Sequence, residues 1–109
     1  MAYNNYLTVE NHTSNDTLLE SESGSVHTNY GAGGTITLTL PVNPESGTYF
    51  IIACQAQYRL RIDPNGASFN YQYYPISTPL WADAAGECIT IVSNRYGDWL
   101  VTAENGTWQ

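Results

Sequence analysis

The run Thr35-Ile36-Thr37-Leu38-Thr39-Leu40 alternates polar and apolar residues without a break, and Pro41 follows it. Successive side chains of a strand point to opposite faces, so Ile36, Leu38 and Leu40 are assigned to a core and the threonines to the outside. Pro41 ends the strand because it has no N–H to give a ladder. Residues 57–63 repeat the alternation, with Tyr58, Leu60 and Ile62 on one side and Arg59 and Arg61 on the other. Residues 48–54 are apolar on both faces, which marks a central strand covered from both sides.

Turn chemistry separates these runs. Asp63-Pro64-Asn65-Gly66 is the strongest turn: Asp bonds the backbone ahead of it, Pro presets φ, and Asn-Gly tolerates left-handed backbone. Asn43-Pro44-Glu45-Ser46-Gly47 and Tyr30-Gly31-Ala32-Gly33-Gly34 are further loops. Strands are expected over residues 17–21, 25–29, 87–93 and 99–104, the last two joined as a hairpin through 94–98, and residues 67–74 read as a tyrosine-rich strand or loop. Pro75 and Pro79 keep their stretch out of a central sheet position. The fold class is all-β, a β-sandwich or jelly-roll-like barrel of about eight short antiparallel strands. A single domain is expected over 17–109. Residues 1–16 show little periodicity and are expected as an extended N-terminal arm, anchored by Tyr3, Tyr6, Leu7 and Val9.

Charge narrows the partners. Three arginines stand against ten acids in 109 residues with no lysine, for a net charge of −7. Such a surface repels phosphate, so neither nucleic acid nor an anionic membrane is an expected partner. No apolar stretch approaches the roughly 20 residues of a membrane helix, and Met1-Ala2-Tyr3-Asn4-Asn5-Tyr6 does not open like a signal peptide. Without export, Cys54 and Cys88 read better as small buried thiols than as a disulfide between neighbouring strands.

Chemistry is sparse. His12 and His27 fall in the arm and in an early strand, and no Cys or His pair has the close spacing of a zinc site. No metal or cofactor is expected. Gly31-Ala32-Gly33-Gly34 leads into a strand, so it cradles no phosphate. No Gly-x-Ser-x-Gly elbow occurs, and Glu45, Asp63, Asp83 and Asp98 sit in turns. The chain is therefore not expected to be an enzyme, and no catalytic residue is assigned. Tyr71, Tyr73, Tyr74 and Trp81 are candidate contacts for a protein partner or a glycan, unless they cap the core. Arg59 and Arg61 either pair with acids of a neighbouring subunit or solubilise an outer face.

Several segments together resemble a β-module of tailed-bacteriophage structural proteins, of the capsid decoration, tail-fibre and tailspike type. They are Ser23-Gly24-Ser25-Val26-His27-Thr28-Asn29, Gly34-Thr35-Ile36-Thr37-Leu38-Thr39-Leu40-Pro41, Tyr58-Arg59-Leu60-Arg61-Ile62-Asp63-Pro64, Ala85-Gly86-Glu87-Cys88-Ile89-Thr90-Ile91-Val92, Asp98-Trp99-Leu100-Val101-Thr102 and Asn105-Gly106-Thr107-Trp108. The resemblance covers residues 17–108. It implies a virion structural protein, foremost a decoration or cement protein bound to the outer capsid surface after assembly in the host cytoplasm. Its partners would be the major capsid protein and its own copies, as a homotrimer. The alternative it implies is a receptor- or glycan-binding module of a tail fibre or tailspike. In the cement reading the arm lies along coat protein or a sister subunit, so deleting 1–16 is expected to release the protein without unfolding it.

Overall fold

A computed structural model describes residues 6–71, 74–94 and 97–109. The strands are β1 (Val9–Asn11), β2 (Asp16–Thr17), β3 (Val26–Thr28), β4 (Ile36–Thr39), β5 (Tyr49–Ala53) and β6 (Leu60–Asp63). They continue with β7 (Ser68–Tyr71), β8 (Tyr74–Ile76), β9 (Leu80–Ala82), β10 (Cys88–Asn94) and β11 (Asp98–Asn105). A 3-10 turn covers Glu20–Glu22. A seven-stranded sheet has the order β1-β3-β5-β10-β11-β7-β8, and a four-stranded sheet the order β2-β4-β6-β9. Their inward side chains form the core, with Phe50, Phe69, Trp99, Leu38 and Leu60 among the fully buried residues.

The chain winds through β1 to β6 by changing sheet at every strand. Strands β1, β3 and β5 stack parallel in the large sheet, and β2, β4 and β6 stack parallel in the small one. Parallel neighbours need a long crossover. Here the strand in the facing sheet supplies it, in the place a helix takes elsewhere. The result is a short coil of three rungs. Antiparallel pairing begins later, in β7–β8, β10–β11, β5–β10 and β6–β9, while β7 runs parallel to β11. The expectation of about eight antiparallel strands is thus corrected to two mixed sheets, with eleven strands among the described residues. Alternation reports which face a residue takes and is blind to strand direction.

The arm changes character as well. The Val26 N–H donates to the Thr8 carbonyl and the His12 N–H to the Thr28 carbonyl, each at 2.8 Å. On the other sheet the Thr37 N–H donates to Asn15 Oδ1 at 2.8 Å. These bonds lay residues 8–16 along the outer edges of both sheets. Tyr3 lies outside the described residues.

The interior grades along the coil. Register sets Glu10, His27, Ile52 and Ile89 side by side in the large sheet. It sets Asp16, Leu38, Ile62 and Leu80 side by side in the small one. The third rung is wholly apolar, the second mixes His27 with Leu38, and the first presents Glu10 and Asp16. A terminal rung has no further rung beyond it, and its acids reach solvent, with the Glu10 and Asp16 side chains 40% and 51% exposed.

Cys54 and Cys88 are free thiols. Cys88 pairs with Ala53 across β5–β10 and shares its outward face, so Cys54, one residue on, points inward and is buried. Burial pushes the Cys54 thiol up from its ordinary range.

Glu87 latches the end of the chain. Its Oε2 accepts the Thr107 N–H at 2.6 Å, and its Oε1 accepts the Ala84 N–H at 3.0 Å and the Asp83 N–H at 3.3 Å. The Thr107 amide does most to hold this carboxyl below the ordinary glutamate range; slight burial opposes it, and the Ala84 and Asp83 amides add to it. A lowered folded pKa means stability that is present above the unfolded value and lost as pH falls through the folded one. Replacing Glu87 with Gln should cost about 1 kcal/mol at pH 7. In urea titrations that cost should shrink once pH drops below the ordinary value of 4.5. A pH-independent difference would show that the charge on Glu87 is not what holds Thr107.

Candidate functional site

The polar end of the coil holds the chemistry. Glu10 lies in the edge strand β1 and His12 directly follows that strand, two residues on and toward the same inner side, and Glu10 is the register partner of His27. His12 and His27 are both buried, His27 completely. His12 Nε2 lies 2.8 Å from His27 Nδ1. The rings stack at 5.1 Å, and His27 and Phe50 make a T-shaped contact at 5.6 Å. Glu10 Oε2 lies 3.6 Å from His12 Nε2 and 3.7 Å from His27 Nδ1. Behind the rings, His27 Nε2 is 2.7 Å from Ser25 Oγ, and His12 Nδ1 is 3.5 Å from Asp16 Oδ2.

The Ser25 hydroxyl donates its one proton to the Glu22 carbonyl. Ser25 Oγ is then an acceptor, and His27 Nε2 must carry the proton it receives. In a neutral His27 ring, Nδ1 is left with a lone pair facing His12 Nε2. Burial first, and the neighbouring His12 second, keep His27 below its ordinary pKa, against the pull of Glu22 and Asp16. Glu10 and Glu22 form a carboxyl pair. The hydrogen bond to Glu22 raises Glu10, helped by burial and by the charges of Glu22 and Asp16. In Glu22 burial acts upward but is outweighed by the Leu19 amide, the Glu10 hydrogen bond and the two histidines. Among the described residues, Glu10, His12 and His27 form a group that can hold a metal ion, with their donor atoms all within 4.8 Å of one another.

A second feature is a surface. The inner face of the large sheet meets the core, and its outer face carries Val9, Val26, Tyr49, Ile51, Val92 and Leu100. Val9 and Tyr49 are exposed and the other four half-buried. Tyr6 and Leu7, which lead into β1, are exposed at 87% and 55%, and Leu19 after β2 at 57%. Of the residues expected to anchor the arm, Tyr6, Leu7 and Val9 are therefore exposed in the single chain.

The aromatic residues expected as contacts divide between the sheets. Tyr71 and Tyr74 pair in the β7–β8 hairpin at the far edge of the large sheet. Trp81 belongs to β9, at the edge of the small one. Tyr73 lies outside the described residues. The Arg59 guanidinium covers the Trp81 ring at 3.6 Å, a cation–π contact. Neither Arg59 nor Arg61 forms an ion pair with an acid among the described residues. A concavity of about 730 Å³ is lined by residues around Pro44, Gly66 and Asp98.

The histidine cluster is the site that periodicity did not disclose. Its one local signal is Glu10-Asn11-His12, whose alternate spacing shares a face only if the segment is a strand. Compared with protein-family models and with curated proteins, the chain matches none of them.

Proposed function

We propose that the protein is a structural protein of a tailed-bacteriophage virion, a capsid decoration or cement protein. It binds the outer shell as an oligomer, foremost a homotrimer, with the major capsid protein and its own copies as partners. The observation that carries this reading is the apolar outer face of the large sheet, continued by the exposed side chains near β1. Such surface on a small domain marks a place for a protein partner. The resemblance of residues 17–108 supplies the virion, and the net charge of −7 favours the outside of the shell over packaged DNA. The mechanism is mechanical. Many linked copies add their binding free energies at high effective concentration, so the shell resists internal pressure without any chemical step.

Residues 8–16 are built into both sheet edges, so an outer-face variant tests this reading more cleanly than removal of the arm. Wild-type protein should scatter light as an oligomer and coat empty capsids. The double variant Ile51→Asn with Leu100→Asn should keep its circular dichroism, dissociate, and fail to sediment with the shells. Full decoration by the double variant would sink the outer-face reading. A wild-type protein that ignores capsids and instead binds host polysaccharide through Tyr73 and Trp81 would be the tail-fibre or tailspike module.

A further inference from the structure

We propose that Glu10, His12 and His27 form a site for one divalent cation of the zinc class, which ties the edge strand β1 to β3. A zinc ion sits about 2.0–2.1 Å from imidazole nitrogen and 2.0–2.2 Å from carboxylate oxygen. Ligand atoms around a tetrahedral centre of that size are about 3.3 Å apart. His12 Nε2, His27 Nδ1 and Glu10 Oε2 form a triangle with sides of 2.8, 3.6 and 3.7 Å, which needs only small adjustments to close on such an ion. Two imidazoles and one carboxylate suit zinc and its first-row neighbours. Magnesium and calcium prefer all-oxygen sets.

The surrounding hydrogen bonds aim the rings. His27 Nε2 is committed to Ser25 Oγ, and Ser25 to the Glu22 carbonyl. Metal-binding histidines carry this kind of outer partner, which fixes the tautomer and presents the bare nitrogen to the ion. A neutral His12 faces a conflict that the ion removes. If neutral His12 gives its proton to His27, the bare Nδ1 faces the Asp16 carboxylate at 3.5 Å. If it turns the proton to Asp16, two lone pairs confront each other at 2.8 Å. A cation between the rings accepts both inner lone pairs and leaves both outer protons in place. Entry is from the groove beside β1, lined by Leu7, Glu10, Glu22 and Ser25, where the Glu10 side chain is 40% exposed. The open coordination position faces this groove and takes water.

The site lies at the polar end of the coil, apart from the apolar outer face, so it stands or falls separately from the capsid reading. The test uses the full chain, stripped with a chelator and dialysed. Zinc chloride added in a calorimeter should bind with one ion per chain. The melting temperature should rise with the logarithm of free zinc once it exceeds Kd. Cobalt in place of zinc should give the visible absorption of a low-symmetry nitrogen–oxygen site, and magnesium should not compete. Glu10→Gln should weaken zinc binding at least about tenfold, and His12→Asn should abolish it, each with native circular dichroism. The partly exposed Glu10 keeps the test decisive even if a variant of the buried pair fails to fold. A wild-type chain with neither stoichiometric heat nor a melting shift at micromolar zinc would overturn the proposal. So would Glu10→Gln and His12→Asn variants that bind zinc as tightly as wild type.

Discussion

Replacing Trp99 with alanine should cost about 3–5 kcal/mol, the range for removing a buried aromatic side chain and leaving a cavity. Trp99 is 1% exposed, and β11 holds it between β10 and β7. Its ring lies 6.0 Å from Phe50, which makes a T-shaped contact with His27. Trp99 thus backs a stack that ends at the histidine pair. A domain of this size has about 5–15 kcal/mol of total stability, so the loss is a large share of it. The melting point should fall by roughly 15–30 °C. Trp81→Ala is the control, because Trp81 is half-buried and its best contact is the Arg59 guanidinium. A cation–π contact at such a site is worth about 0.5–1 kcal/mol. Urea unfolding followed by far-ultraviolet circular dichroism compares the two variants, and equal costs would contradict the assignment of Trp99 to the core.

Much of that core could be read from pattern. Ile36, Leu38 and Leu40 are buried as their alternation requires, and so are Leu60 and Ile62. Tyr58, expected on the same face, is 46% exposed because β6 begins only at Leu60. The Asp63-Pro64-Asn65-Gly66 turn has its expected chemistry, with Asn65 at φ 56°, Gly66 at φ 89°, and the Asn65 N–H on Asp63 Oδ1 at 2.8 Å. Pro75 sits in β8, an edge strand, as a residue without an N–H should. What pattern could not supply was direction and edge. Val9, Asp16 and Thr17 are exposed, so β1 and β2 are held by backbone bonds that leave no hydrophobic period to detect. With β1 hidden, Glu10 and His12 had no reason to share a face, and the parallel register that brings His27 beside Glu10 was out of reach. The candidate site therefore depended on topology that side-chain periodicity does not encode.

Asn29→Ala should destabilise the protein by about 3–4 kcal/mol, because one side chain satisfies several backbone groups at once. Asn29 follows β3 and is fully buried. Its Oδ1 accepts the Gln55 N–H at 2.7 Å and the Ala56 N–H at 3.0 Å, and its amide nitrogen donates to the Tyr58 carbonyl at 3.1 Å. Residues 55–58 carry the chain from β5 toward β6, so Asn29 sets the path between the sheets. Alanine leaves these groups without their partner, each at about 1–3 kcal/mol, reduced where water can reach them. Asn29→Asp separates hydrogen bonding from volume. It keeps the acceptor for Gln55 and Ala56 but, ionised, gives nothing to the Tyr58 carbonyl and buries a charge. Burial raises the pKa of such a carboxyl above its unfolded value. The penalty of Asn29→Asp is then largest at neutral pH and shrinks as pH falls through the raised folded value, where the protonated acid can donate again. Amide hydrogen exchange provides the local check. Exchange at Gln55 and Ala56 should accelerate in Asn29→Ala and stay close to wild type in Asn29→Asp at low pH. Unchanged protection in Asn29→Ala would mean that the crossover is held by the packing of Cys54 and Leu60 alone.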